Sequence, residues 1–146
     1  MHYAAKLMLL CATPSADKGF ITNFQAKQLP YLQAIVRESL RISPPVVGLF
    51  PRDVLPEGNT VVLYGKPTFL PGGTSIGRAV SAMYRCKEIY GKDADTFRLE
   101  RWLKSDPAKL AVMNRTNELI FNYGKFQCLG RAIAQTEIGK TVFEVC

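Results

Sequence analysis

The stretch "FNYGKFQCLG", residues 121–130, holds a cysteine in a short loop between two glycines. The residues that follow, "GRAIAQTEIGKTVFEVC" (130–146), predict a helix that is weakened only by Gly139, so Cys128 is expected where a loop enters a helix. A helix N-terminus carries partial positive charge and free backbone N–H groups, and both favour a thiolate over a thiol. Gly124 and Gly130 leave room for a flat ligand or another backbone segment to approach.

A thiolate in this position suits three roles, those of a nucleophile, a redox sensor and a metal ligand. A cysteine nucleophile usually needs a histidine base, and the only histidine is His2, near the start of the chain. The lack of a base favours a ligand role, and a single thiolate facing a planar cofactor suggests haem iron. A buried structural cysteine is the alternative that the residues alone leave open.

The composition indicates one globular domain with a basic surface. The chain has 146 residues, 47% of them hydrophobic, and a formal net charge of +7. That charge would suit an acidic partner, a membrane surface or nucleic acid, but the arginines are scattered singly, which predicts a solvated surface and no nucleic-acid binding. The four cysteines form no C-x-x-C pair, so neither a zinc site nor a disulfide framework is predicted. No apolar run is long enough to span a bilayer.

The residue pattern predicts a mainly α fold with a small β region. "LPYLQAIVRESLRISPP" (29–45) is the clearest helix, since Pro30 suits its first turn and Pro44 and Pro45 end it. Three short β-prone runs follow between Val46 and Gly77. Residues 78–91 then predict a helix, 92–103 a loop, and the residues up to Leu119 an irregular polar stretch. Residues 1–27 are predicted to be an irregular N-terminal segment.

Two further motifs precede the cysteine loop. "ESLR" lies in the predicted helix and places Glu38 and Arg41 three residues apart, on one face. Taken alone, this spacing indicates a weak surface ion pair. "FRLERW" (97–102) follows the predicted β region and carries Arg101 next to Trp102.

Together the three motifs resemble those of the cytochrome P450 monooxygenases, in that family's order. "FNYGKFQCLG" is similar to the family's haem-thiolate loop, F-x-x-G-x-R-x-C-x-G, with matches at Phe121, Gly124, Cys128 and Gly130. "ESLR" matches E-x-x-R, and "FRLERW" resembles F-x-P-E-R-W with Leu99 in place of the proline. Phe126 replaces the usual arginine that helps to hold a haem propionate, as in fungal members similar to pisatin demethylase.

The resemblance implies a cofactor and a set of site residues. The cofactor is haem b (iron protoporphyrin IX), with Cys128 as the axial ligand of its iron. The cofactor-binding residues implied are Phe121, Gly124, Cys128, Gly130 and Arg52, the last aligned with a strand arginine that commonly binds a haem propionate. The family also implies that Glu38, Arg41 and Arg101 form a buried network behind the cysteine loop, in which every member must be paired. No catalytic residue is identifiable.

The resemblance covers residues 28–146, which are therefore predicted to be a partial cytochrome P450 domain on the proximal side of the haem. Family members are normally much longer, and nothing here resembles their N-terminal anchor, the helices that roof the haem, or the central helix with its acid–alcohol pair. We therefore expect a C-terminal fragment. The implied function is insertion of one oxygen atom from O2 into an organic substrate; the alternatives are a catalytically inactive fragment and a non-enzymatic interaction module.

The resemblance also implies partners. These are an electron-donating reductase and a small apolar organic substrate. In the family a basic proximal face docks the electron donor, and Lys87, Lys125 and Lys140 are candidates for that face. The family usually resides in the endoplasmic reticulum membrane, and without an anchor this chain is expected in the cytoplasm.

Overall fold

The computed structural model describes residues 21–48 and 50–145. They form two compact units, one made of residues 21–45 and 84–145 and the other of Val46–Met83. The first unit is helical and the second contains the β-strands. The prediction of a mainly α fold with a small β region is confirmed.

The regular elements of the described residues are short helices and strands, together with three helices of 12 to 15 residues. The helices are α1 (Asn23–Lys27), α2 (Pro30–Ile42), α3 (Val80–Tyr84), α4 (Lys87–Tyr90), α5 (Glu100–Leu103), α6 (Pro107–Glu118) and α7 (Arg131–Val145). The strands are β1 (Arg52–Asp53), β2 (Asn59–Leu63), β3 (Lys66–Leu70) and β4 (Ser75–Ile76). Two 3₁₀ turns, Leu119–Phe121 and Gly124–Phe126, lie between α6 and α7.

Helix α2 is the element that the sequence predicts best. Pro30 occupies its first turn, where a missing N–H costs nothing, and the helix ends at Ile42, shortly before Pro44. Leu32 and Val36 recur on its buried face. That face also buries Glu38 and so is not purely apolar.

Helix α1 lies within the segment 1–27, which was predicted to be irregular. Thr22 starts it with a capping box, in which its hydroxyl accepts from the Gln25 N–H and the Gln25 side chain accepts from the Thr22 N–H. This T-x-x-Q pattern is the sequence signal for the helix. Residues 1–20 of the predicted segment lie outside the described residues.

The apolar core of the helical unit joins three helices. Ile21, Ala26 and Leu32 are buried together, and the partly buried Val142 and Phe143 of α7 pack against them. Burial of a side chain such as that of Leu32 contributes about 1.5–3 kcal/mol. This core fixes α7, the helix that follows the cysteine loop, against α1 and α2.

The segment between α3 and α5 departs from its prediction. Residues 78–91 form two short helices instead of one, because Cys86 is extended (φ −63°, ψ 117°) and caps α4. Gly91, with φ 93°, ends α4. Residues 92–103 are not entirely loop, since α5 occupies Glu100–Leu103 and buries Arg101 and Trp102.

Helix α6 was missed, and the prediction of an irregular polar stretch there is wrong. Asp106 caps the helix by accepting from the Lys109 N–H at 2.9 Å, and Pro107 occupies its first turn. Its buried residues are few and partly polar: Met113, Thr116 and Asn117. The helix therefore lacks the apolar stripe that periodicity detects.

The β unit consists of two antiparallel pairs. β1 pairs with β4, with Arg52 opposite Ile76, and β2 pairs with β3 in a hairpin. The hairpin turn is Tyr64–Gly65, and both residues have positive φ (51° and 77°), as a two-residue type I′ turn requires. Of the first β-prone run, only Arg52 and Asp53 form a strand among the described residues.

Candidate functional site

The cysteine loop is closed by its own backbone. The Cys128 N–H donates to the Phe121 carbonyl at 2.8 Å, and the Gln127 N–H donates to the Gly124 carbonyl at 3.0 Å. Gly124 has φ 64°, a left-handed conformation that costs glycine little and other residues more. The loop then enters α7 directly, since the Arg131 N–H donates to the Cys128 carbonyl. Cys128 thus lies three residues before the first residue of α7.

Arg131 ties the first turn of α7 to the start of the loop. Its guanidinium forms an ion pair with Glu118 at 3.1 Å and lies 5.7 Å from the centroid of the Phe121 ring. Phe121 is therefore contacted twice, by the Cys128 N–H and by Arg131. These contacts hold the two ends of the loop together.

The Cys128 thiol is free and exposed. A Cβ placed on Gly130 would lie 3.9 Å from its sulfur, and a Cβ on Gly124 would meet no described atom within 4 Å. Large apolar side chains near it in sequence are also exposed: Tyr123 at 84%, Leu129 at 102% and Ile133 at 64%. Clustered exposed apolar side chains are a common feature of binding surfaces.

The surroundings of the Cys128 thiol fit a planar, largely apolar group with a soft metal at its centre. The thiol offers the ligand atom, the glycines leave it clear, and the exposed apolar side chains would be covered. Among residues 21–48 and 50–145, no group of three or more His, Cys, Asp or Glu side chains is arranged to hold a metal ion.

Arg52 lies in the other unit, on β1. Its guanidinium donates to the Pro51 carbonyl at 2.9 Å. The structure thus groups Phe121, Gly124, Cys128 and Gly130 in one loop, and Arg52 belongs to the other unit.

Glu38, Arg41 and Arg101 meet in one fully buried cluster. The Glu38 carboxylate accepts from Arg41 Nε and Nη2 at 2.9 and 2.8 Å and from Arg101 Nε at 3.1 Å. Neither Glu38 nor Arg41 has any exposed side-chain surface. The Trp102 indole and the Arg98 backbone N–H also donate to Glu38, each at 2.8 Å. The single carboxylate is therefore fully hydrogen bonded, as a buried charge must be.

The two arginines use most of their remaining donors on backbone carbonyls, and Arg101 Nη1 also lies 3.4 Å from Asp93 Oδ1. The acceptors for Arg41 are Tyr84, Ala94 and Thr96, and those for Arg101 are Tyr90, Asp93 and Thr96. These carbonyls all belong to the segment from the end of α3 to the loop before α5. The charge cluster thus fixes the path of that segment.

Three groups in and around the cluster have shifted pKa values. Burial opposes ionisation of Glu38, but hydrogen bonds from Arg41, Arg98 and Trp102 outweigh it and lower the pKa of the carboxyl. Burial raises the pKa of Tyr90, whose ring lies 4.9 Å from the Arg41 guanidinium carbon. Burial also opposes ionisation of Asp93, and the charges of Arg101 and Arg98 lower its pKa.

The sequence reasoning missed two members of this cluster. Trp102 donates to the same carboxylate as the arginines, and its ring packs edge-on against Tyr90, with centroids 6.3 Å apart. The motif "FRLERW" places Trp102 beside Arg101 and was the available signal. Tyr90 has no motif of its own.

Comparison with known proteins gives the family. The cytochrome P450 family model matches residues 15–145. This chain belongs to the cytochrome P450 family. Family membership implies haem as cofactor.

Its relatives are fungal proteins named as monooxygenases. Cytochrome P450 monooxygenase ABA1 of Pyricularia oryzae is 36% identical, over 95% of this chain and 30% of its own length. Cytochrome P450 monooxygenase aba1 of Botryotinia fuckeliana is 38% identical, over 83% of this chain and 23% of its own length. Cytochrome P450 monooxygenase abl1 of Leptosphaeria maculans is 41% identical, over 82% of this chain and 20% of its own length. The chain thus spans less than a third of each of these relatives. In the described residues no helix is both long and apolar enough to cross a membrane.

Proposed function

We propose that this chain supplies the thiolate side of a haem-thiolate monooxygenase site, with Cys128 as the axial ligand of a haem b iron. The observation that carries the proposal is the exposed thiol in a loop closed by the Cys128–Phe121 hydrogen bond. Such a hydrogen bond fixes the backbone of Cys128 before any ligand arrives, which lowers the cost of ordering the loop. When bound, haem supplies the activation of O2 for transfer of one oxygen atom to an organic substrate.

Each residue of the loop has a separate role in this proposal. Cys128 provides the sulfur ligand, and Gly130 keeps side-chain atoms away from it. Gly124 allows the left-handed turn that brings Cys128 back to Phe121. The side chains of Leu129 and Ile133 are exposed, and the bound group would cover them and remove them from water.

The proposal extends to residues outside the loop. Glu38, Arg41 and Arg101 act as positioning residues, because they hold the segment before α5 and do not touch the cofactor. Arg52 is proposed as a ligand of a haem propionate, by resemblance to the family. Its test is the haem affinity of Arg52→Gln compared with that of Arg78→Gln, a change of the same charge in the same unit.

The whole protein's activity is part of the same proposal. Residues 28–146 are proposed to be one part of a cytochrome P450 domain that takes a small apolar organic substrate and electrons from a reductase. The two alternatives, an inactive chain and a non-enzymatic interaction module, predict no haem binding by this chain.

The test is titration of the purified chain with haemin, followed by reduction and addition of carbon monoxide. We expect stoichiometric binding and the long-wavelength Soret band that a thiolate ligand gives. Cys128→Ser should lose that band, while Cys86→Ser, a change at the other free cysteine of the described chain, should keep it. Binding without the thiolate band, or a band that survives in Cys128→Ser, contradicts the assignment of Cys128. Absence of haem binding at any concentration favours the alternatives.

A further inference from the structure

A cavity of about 370 Å³ lies within the helical unit, between α1, α2, α6 and α7. Its wall combines carboxamides, such as those of Gln33 and Gln135, with the apolar side chains of Val36, Leu40 and Phe121. The volume is in the range of small-molecule sites. A wall of this mixed character suits a ligand with one polar end and one apolar end.

Arg37 supplies the charge in this cavity. It is half-buried on α2, and burial lowers the pKa of its guanidinium, which the charge of Glu118 partly offsets. Across residues 21–48 and 50–145, no carboxylate lies within ion-pair distance of the Arg37 side chain, and its guanidinium donates no hydrogen bond. A partly desolvated guanidinium with unused donors is a site for an anion.

The charges around Arg37 leave the cavity positive. Glu118 is the acidic residue of the wall, and it is already paired with Arg131 at 3.1 Å. Lys27, at the end of α1, adds a second cation to the wall. We propose that the cavity binds a small organic carboxylate, whose charged end pairs with Arg37 and whose apolar body lies against Val36, Leu40 and Phe121.

The proposed site reaches the cysteine loop through one residue. Phe121 lines the cavity, and its carbonyl accepts the hydrogen bond from the Cys128 N–H. A ligand packed on the Phe121 ring would therefore restrict the loop that carries the thiol. This inference concerns the chain without haem and does not depend on the proposed function.

The test uses the full chain and three probes in calorimetric titrations. Hexanoate carries both ends of the proposed ligand, hexan-1-ol keeps the apolar body without the charge, and acetate keeps the charge with little body. We expect hexanoate to bind at least about tenfold more tightly than either of the others, since hydrogen bonds to charged groups contribute that much. Equal binding of hexanoate and hexan-1-ol, or no binding of hexanoate, overturns the proposal.

Variants locate the binding. Arg37→Gln should weaken hexanoate binding at least about tenfold, and Glu118→Gln should strengthen it, because a competing carboxylate is removed. Arg115→Gln is the matched control: it removes the same charge from α6 without lining the cavity, and it should leave the affinity unchanged. Equal effects of Arg37→Gln and Arg115→Gln would mean a non-specific charge effect and overturn the site.

A second variant tests pairing with Arg37 independently, in case Arg37→Gln does not fold. Gln33 lies four residues before Arg37 on α2, so Gln33→Glu places a carboxylate beside the guanidinium. We expect this internal partner to compete with hexanoate and weaken its binding, with the far-ultraviolet circular dichroism unchanged. Undiminished binding in a folded Gln33→Glu variant contradicts pairing of the ligand with Arg37.

Discussion

Replacing Glu38 by glutamine tests the buried charge cluster most directly. The change keeps the shape of the side chain but removes its charge and turns one acceptor atom into a donor. Glu38 accepts from both arginines, from Trp102 and from the Arg98 N–H. In Glu38→Gln the new NH2 group faces donors. The buried Arg41 loses its counter-charge, and Arg101 keeps only the partly exposed Asp93, 3.4 Å from its Nη1.

The expected loss of stability is large. Removing one partner of a buried ion pair typically costs about 3–5 kcal/mol, because the remaining charge stays buried and uncompensated. Arg41 loses its counter-charge and Arg101 loses the fully buried one of its two, so the loss should lie near the upper end of that range. A domain has about 5–15 kcal/mol in total, so the variant is expected to be marginally folded at 25 °C.

The measurement is urea unfolding at pH 7, followed by circular dichroism and by fluorescence of the single tryptophan, Trp102. Glu57→Gln, an exposed change in the β unit, is the control and should stay within about 0.5 kcal/mol of the parent chain. A loss below about 1 kcal/mol in Glu38→Gln would refute the argument, since it would mean that water or rearrangement replaces the carboxylate.

The same cluster predicts how stability depends on pH. The folded-state pKa of Glu38 lies below its unfolded value of about 4.3, so its contribution is fully present above that pH and is lost as the pH falls through the folded pKa. The difference in unfolding free energy between the parent chain and Glu38→Gln should therefore shrink as the solution is acidified below about pH 4. A constant difference down to pH 2 would contradict the lowered pKa.

Three further changes have smaller expected effects, each measurable by urea unfolding. Tyr90→Phe should be neutral or stabilising by up to about 1 kcal/mol, because the Tyr90 hydroxyl is buried without a partner among the described residues; a clear loss would reveal a hidden hydrogen bond. Gly139→Ala should stabilise α7 by about 0.5–1 kcal/mol, since the added Cβ would lie 3.8 Å from that of Ala26, an ordinary contact; destabilisation would show that the helices are packed more tightly. Asp106→Ala should cost about 1 kcal/mol through loss of the cap on the Lys109 N–H, and Asp106→Asn should restore most of it.

The sequence predicts those elements whose signals are local and strong. Pro30 and Pro44 bound α2 because proline constrains both its own backbone and the residue before it. The cysteine loop and α7 follow from the two glycines and the helical pattern after them. In these cases a few neighbouring residues determine the backbone.

The rest depends on contacts between residues far apart in the chain. Helix α6 buries a methionine and two polar residues instead of an apolar stripe. Its only sequence signal is therefore its start, Asp106–Pro107. Spacing alone assigns Glu38 and Arg41 to a surface pair; their burial depends on Arg101 and Trp102, about sixty residues later. The cavity around Arg37 is formed by four helices and has no sequence signal.

Arg41 and Arg101 bind the backbone of the segment before α5, and this limits insertions and deletions in that segment. Five carbonyls between Tyr84 and Thr96 accept hydrogen bonds from the two guanidiniums. One inserted residue would displace the following carbonyls by about 3.3–3.6 Å, more than a hydrogen bond tolerates. Insertions and deletions should therefore be rejected between Tyr84 and Arg101 but accepted at the exposed hairpin turn Tyr64–Gly65.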